Sequence, residues 1–410
     1  MTRGTGRIER IVAGLREEQL DALICALPTN VLLLSGYWPV VGTAVAIVTR
    51  EGRVLVLAPE DEEDLAASGW ATDVHPFQPG SLTRLTPLEE AIRGPLAEVA
   101  ARAGIVTGRI GYEAGASDEP ASYASLSVYG PSLGSLIRDA IPQASLTSAS
   151  ALLARLKGTL TATEVGQVRA ACAVAGLAFA EGARGLRDGL SEAEVAACFQ
   201  APLSVVGLAR GAQRAGGFVY CMSGPNAALA GAAYARTRSR LLHVGDLVLV
   251  HCNSYVDGYW TDITRTYCLG EPTARQRDIA DAVFAARAAA LDAIRPGVRA
   301  AAVDAAARSV LTQRGYGQNF THATGHGVGF SAINGLAHPR IHPAADDMLA
   351  VDMVFNIEPA IYVTGYGGLR HCDMVAVGEH GAEVLTPFHA ASEHLILASP
   401  PRPSNGGTLS

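Results

Sequence analysis

The chain has 410 residues, 49% hydrophobic and 17% charged, with a formal net charge of −7. At roughly 100–200 residues per domain this predicts two domains, each able to bury a core. The acidic balance, with no block of like charges, argues against an electrostatic grip on nucleic acid. No run approaches the ~18 apolar residues of a membrane span, and the N-terminal MTRGTGRIER is no signal peptide, so a cytoplasmic protein without membrane contact is expected. The seven cysteines are scattered and never spaced CxxC, reading as free thiols of a reducing compartment.

Residues 7–18 predict an amphipathic helix with Ile8, Ile11, Val12 and Leu15 on one face. Short strands are expected at Leu20–Cys25, Val31–Leu34, Ala44–Val48 and Val54–Leu57, then a helix over Pro87–Ala103 and a strand at Arg109–Glu113. This alternation predicts an α/β domain with a mainly buried sheet. The pattern changes near 155. Helices are expected at 163–187, 191–208, 273–294 and 299–314, the second with a Ser191 cap and first-turn acids. Strands are expected at 217–222, 247–255, 263–269, 353–358 and 373–377, giving an α+β layer of sheet backed by helices. The expected division is 1–155, 156–398 and a disordered tail at 399–410, rich in Pro, Gly and Ser.

Ten of the eleven histidines lie at or after His243, so imidazole chemistry belongs to the second half. Lys157 is the only lysine, and a solvated side chain explains it better than a Schiff base. Four segments place polar groups on apolar strands. In the first, His251 and Asp262 flank an Asp257-Gly258 turn, so a hairpin could present both to one cation. Asp262 could equally pair with Arg265. In the second, three glycines surround His326, with His322 just before, which permits close backbone approach. The third ends an apolar strand in Glu358, and the fourth carries Arg370, His371, Cys372 and Asp373 into another. A carboxylate at such a position is costly unless it meets a cation or donor.

With these residues the chain resembles the creatinase, prolidase and aminopeptidase P family, which includes methionine aminopeptidase. The N-terminal half carries Leu20-Asp21-Ala22-Leu23, Pro28-Thr29-Asn30 and Leu34-Ser35-Gly36. The second half carries Leu156-Lys157, Glu164, Ser223-Gly224-Pro225-Asn226, Gly245-Asp246, Gly258-Tyr259 through Arg265-Thr266, Gly325-His326-Gly327, Ile357-Glu358-Pro359 and Gly381-Ala382-Glu383. The resemblance implies a creatinase-like α/β N-terminal domain, an α+β pita-bread catalytic domain and a homodimer. It also implies two metal ions on five residues, and here this chain departs. The first aspartate falls on His251 and the last, bridging glutamate on Cys372, while Asp262, His326 and Glu358 are retained. Two outer histidines are displaced: one position falls near Gly231 and the other on Ile333, with His338 a possible substitute.

Two carboxylates under-neutralise two dications but balance one. The expected site is therefore one divalent ion (Zn, Mn or Fe) on His251, Asp262, His326 and Glu358. His338 or His322 would shuttle a proton, Cys372 is a further catalytic candidate, and Tyr259 and Arg370 are the candidates for substrate contact. The expected activity is hydrolysis of a C–N bond in a small amino-acid-like compound, other than ordinary Xaa-Pro peptidase activity. The rivals are a metal-independent creatinase-like hydrolase or lyase, and a peptide-binding pseudoenzyme.

Overall fold

The computed structural model describes residues 4–39, 44–80, 82–83, 86–114, 131–231, 236–332, 334 and 337–397. The expected tail at 399–410 and Ile333 lie outside them. The chain divides into two compact units, Met1–Glu164 with Leu336–His338, and Val165–Gly335 with Pro339–Ser410. Among the described residues no helix is long and apolar enough to cross a membrane.

The first unit opens with α1 (Thr5–Glu17), β1 (Ala22–Cys25) and α2 (Pro28–Ser35), followed by β2 (Val45–Thr49), β3 (Val54–Pro59), α3 (Glu63–Ala67) and β4 (Asp73–Phe77). It continues with α4 (Leu88–Ala103), β5 (Arg109–Tyr112), α5 (Pro131–Ala140), β6 (Ser145–Ser148) and α6 (Ser150–Gly158). One mixed sheet runs β4-β3-β2-β1-β5-β6, parallel between β1 and β5, β5 and β6, and β3 and β4. Every residue of β1, β2 and β3 is buried, which is why these strands read as unbroken apolar runs.

The strand expected at Val31–Leu34 is instead the body of α2. An apolar run this short carries no period that separates strand from helix. The flanks decide it: Pro28 occupies the first turn and Gly36, at φ 73°, closes the helix. Glu113, just beyond β5, accepts from the N–H groups of Ala26 and Leu27 and from Asn30 Nδ2. It thus anchors the chain where α2 begins.

The second unit holds α7 (Ala162–Arg184), which begins three residues before the division, then α8 (Glu192–Ala209), β7 (Ala215–Ser223), β8 (Leu247–Val256), β9 (Tyr259–Trp260) and β10 (Ile263–Leu269). After α9 (Ala274–Ala293) and α10 (Ala300–Gln313) come β11 (Val354–Ile357), β12 (Ala360–Val363), β13 (Gly367–Arg370), β14 (Asp373–Val377), β15 (Ala382–Val384) and β16 (Ile396–Leu397). Ser191 and Glu194 form the expected cap of α8 as a reciprocal capping box. The main sheet runs β16-β10-β8-β7, with β9 folded back on β8; β11-β14-β15 and β12-β13 form two smaller sheets. Ile279, Val283 and Ala286 of α9 and Val303, Ala307 and Leu311 of α10 share one core with Leu249, Phe355, Leu369 and Val375. Helices back the strands, and the polar ends of β8, β10, β11 and β13 are left to converge.

Candidate active site

Asp257 and Gly258, at φ 47° and 85°, form the two-residue turn that pairs Val256 with Tyr259. The register then sets Thr264 opposite His251 and Ile263 opposite Cys252. Because strand side chains alternate, His251, Asn253 and Thr264 share one face with Asp262. Cys372 joins that face through two backbone bonds, Thr264 N–H to the Cys372 carbonyl and Cys372 N–H to the Thr264 carbonyl.

The glycine-rich segment lies against β11. Its His326 N–H donates to Asn356 Oδ1 at 2.7 Å, and Asn356 N–H and Glu358 N–H return to the carbonyls of His326 and Thr324. A Cβ on Gly325 would stand 1.9 Å from the Asn356 carbonyl oxygen, so only glycine allows this approach. His326 and Glu358 are thereby fixed as near neighbours. His326 Nδ1 donates to the Gly327 carbonyl, which turns Nε2 toward Asp262 Oδ2, 3.7 Å away.

Among the described residues, the ligand atoms of Asp262, Glu358 and Cys372 lie within 4.8 Å of one another. Asp262 is buried and Glu358 partly buried, with side chains 5% and 13% exposed. Yet among the described residues neither meets an N–H or hydroxyl donor at hydrogen-bond distance. Asp262 Oδ1 has the Cys372 thiol at 3.5 Å, and Glu358 Oε2 has Arg370 Nη1 at 3.8 Å. The competing pair does not form: Arg265 turns away to Asp373 at 2.7 Å and donates to the carbonyls of Thr264, Cys372, Thr386 and Phe388.

His251, expected as a ligand, is engaged differently. Its Nε2 meets Asn253 Oδ1 at 3.0 Å and therefore carries the proton. Its Nδ1 accepts from Thr264 Oγ1 at 2.9 Å, and that hydroxyl accepts from Arg370 Nε at 2.9 Å. Burial lowers the ring pKa to about 4, so His251 is neutral with both nitrogens committed. Its lone pair orients Thr264 and Arg370, and the imidazole stacks on Tyr220.

His322 donates from Nδ1 to the Ala323 carbonyl, and burial lowers its pKa, so Nε2 accepts from the Tyr362 hydroxyl at 3.0 Å. Arg370 lies near Tyr362, whose hydroxyl burial pushes up to about 12. A Cβ on Gly231 would come 2.7 Å from the Tyr362 ring, so the tyrosine fills the space beside the position where the family's outer histidine would stand. Tyr259 is buried against Phe330. His338 belongs to the first unit, its Cβ facing Gly158. Sequence reading missed Asn253, Thr264, Asn356 and Tyr362 as site residues. All four lie in the polar-bearing segments 247–267 and 354–362, but as uncharged groups they gave no signal of a role.

Residues 7–156 match the creatinase/prolidase N-terminal domain, and residues 166–379 match metallopeptidase family M24. The chain belongs to metallopeptidase family M24. It is similar to the Xaa-Pro dipeptidase of Pyrococcus furiosus, 27% identical over 380 residues, covering 93% of this chain and 97% of the relative. The probable dipeptidase PepE of Mycobacterium tuberculosis is 38% identical over 235 residues, 57% of this chain and 60% of that one. Among solved structures, prolidase from Pyrococcus furiosus superimposes with a TM-score of 0.70 at 27% identity, covering 92% and 98%. The X-Pro aminopeptidase from Thermotoga maritima gives 0.75 at 22%, covering 91% and 97%, a likeness of fold alone. This M24 chain is thus a hydrolase with a creatinase-type N-terminal domain and a pita-bread catalytic domain.

M24 membership implies a divalent metal ion, and the donor set can be tested for it. A buried and a partly buried carboxylate without ordinary donors, an imidazole nitrogen facing one of them and a thiol close to both fit a cation. Beside them stand a neutral imidazole at 251, the thiol at 372 and the guanidinium of Arg370.

Proposed function

We propose that this M24 enzyme hydrolyses a C–N bond of a small amino-acid-like substrate using a single divalent ion, and that Xaa-Pro dipeptides are not its preferred substrates. The observation that carries the reading is the pair of donor-poor carboxylates, buried Asp262 and partly buried Glu358, with His326 Nε2 3.7 Å from the first. These three residues would hold the ion. When bound, it supplies Lewis acidity that polarises a carbonyl group and acidifies a water molecule.

The chain's own groups do the rest. Arg370, held by Thr264 and facing Glu358, is the fixed cation that would bind a substrate carboxylate. As the C–N bond breaks, the departing nitrogen needs a proton, and the hydrogen-bonded pair of Tyr362 Oη and His322 Nε2 can hold and deliver one. His251 keeps Thr264 and Arg370 in place. His338 enters no step of this scheme.

The relatives named above include an Xaa-Pro dipeptidase, which supports an amide bond within an amino-acid derivative as the scissile bond. The departure from proline peptides rests on the missing outer histidine, whose position falls near Gly231, where a Cβ would come 2.7 Å from the Tyr362 ring. The test is a substrate panel of Xaa-Pro dipeptides and N-acyl and N-amidino amino acids, run beside metal quantification. One ion per chain and a preference outside the Xaa-Pro set are expected. Preferred cleavage of Xaa-Pro dipeptides, or two ions per active chain, would refute the reading. Full activity in metal-stripped protein would favour a metal-independent route instead.

A further inference from the structure

The single-ion reading leaves one group without a role. Cys372 is fully buried, with its sulfur 3.1 Å from the Asp262 carbonyl oxygen and 3.5 Å from Asp262 Oδ1. It is held there from both sides. The backbone exchange with Thr264 fixes its Cα, and the Arg265 guanidinium caps its carbonyl at 2.7 Å. Three ligand atoms, two of oxygen and one of sulfur, from two buried residues and the partly buried Glu358, therefore converge within 4.8 Å of one another, with an imidazole nitrogen at their edge.

We infer that Cys372 is a metal ligand, so that the site is an N,O,O,S set built for a zinc-class ion rather than for manganese or magnesium. This rests on the single-ion reading and deepens it. A hard cation such as Mn²⁺ prefers carboxylate, carbonyl and water oxygens, whereas thiolate sulfur selects borderline and soft ions. Zinc accepts Cys, His and carboxylate ligands together and expands to five-coordination when substrate or water enters. The thiol gives up its proton to solvent as the metal–sulfur bond forms. The cysteine also supplies a third negative charge, leaving a single dication fully balanced in a site that Arg370 already makes more positive. The geometry gives His251 no part in this, since both its nitrogens are committed.

The experiment is titration of metal-stripped protein with cobalt(II), followed by absorption and then by competition with zinc and manganese. Cobalt reports sulfur directly, because a thiolate ligand produces a near-ultraviolet charge-transfer band that oxygen and nitrogen ligands lack. The band is expected to saturate at one equivalent per chain. It should vanish in Cys372→Ser and persist in His251→Asn. Zinc affinity in Cys372→Ser should fall by more than the ~10–100-fold typical of losing a mere outer-shell partner, with a smaller loss for manganese. Binding of one equivalent without the band, or a band that survives Cys372→Ser, overturns the assignment of sulfur while leaving one ion in place. Two equivalents, or no binding at all, overturn the single-ion reading itself. The wild-type band needs no variant, and far-ultraviolet circular dichroism establishes that Cys372→Ser is folded.

Discussion

Asp262 and Asp373 are both buried aspartates in the second unit, and both stand next to Cys372 or its contacts, yet their surroundings are opposite. Asp373 accepts from Arg265 at 2.7 Å, from Arg287 Nε at 2.5 Å and from Thr386 Oγ1 at 2.8 Å, and neighbouring His371 with the two arginines holds its pKa far below the usual range against the effect of burial. Asp262 has a thiol at 3.5 Å and imidazole nitrogens at 3.7 Å. A buried carboxylate is tolerated only with a compensating cation or donors. Asp373 has its compensation in the chain, whereas Asp262 and Glu358 are arranged to receive theirs from outside it. Asp373 is a structural knot and Asp262 the proposed ligand, separated by partner count rather than by burial or residue type.

The largest expected effect breaks that comparison on the metal side. Asp262→Asn should cost several kcal/mol of transition-state stabilisation, about a thousandfold or more in kcat/KM, and abolish stoichiometric metal binding. The same substitution should leave the metal-free protein at least as stable as the parent in urea, because it removes one of two facing carboxylates. A large loss of metal-free stability would put Asp262 in the same class as Asp373. On the other side, Asp373→Asn strands Arg265, which is 1% exposed, and should destabilise the fold by about 3–5 kcal/mol in the same assay.

A smaller effect sharpens the knot. The His371 ring packs against Phe284 and sits 3.3 Å from Asp373 Oδ2; burial, with Arg265 close by, lowers its pKa from 6.5 to about 4. A depressed folded-state pKa means that the unfolded chain takes up the proton first. The contribution is whole above pH ~6.5 and is lost as pH falls through 4, about 3 kcal/mol in all. Glu113 in the first unit, raised from 4.5 to about 7 by burial, works in the opposite direction. The difference between His371→Gln and the parent, measured by urea unfolding at pH 7 and pH 4.5, isolates the His371 contribution. An equal pH slope in both proteins would remove the histidine from the knot.

How much of this could be read from the sequence follows from the kind of contact involved. Asp262, His326 and Glu358 stood out because a charge or a glycine-flanked imidazole interrupts an apolar pattern, and the spacing of such interruptions survives folding. The α/β character of the first unit, with its mainly buried sheet, was equally plain in its apolar strands. Val31–Leu34 was misread because four apolar residues fit either period, and the decision lay in Pro28 and Gly36 at its flanks. His251 occupies a ligand position in the family pattern, but its neighbours two residues and thirteen residues away, Asn253 and Thr264, capture both ring nitrogens. That capture depends on strand register. Asn356, which pins the His326 segment, was invisible for the same reason: its partner lies thirty residues back along the chain.

The smallest predicted effect concerns Tyr362, which belongs to neither class of aspartate but links the cation Arg370 to His322. Tyr362→Phe keeps the ring that fills the space at Gly231 and removes only the hydroxyl. The neutral hydrogen bond is worth about 1 kcal/mol, so thermal stability should change little. Loss of a positioned proton donor lowers turnover by ~100-fold or more, and that loss should fall on kcat with KM nearly unchanged. Were the hydroxyl to matter only for holding Arg370 toward a substrate carboxylate, KM would rise and kcat would survive. The split between the two constants therefore decides whether the His322–Tyr362 pair acts on the departing nitrogen or only shapes the pocket. Steady-state kinetics of this one variant on the preferred substrate are sufficient to tell.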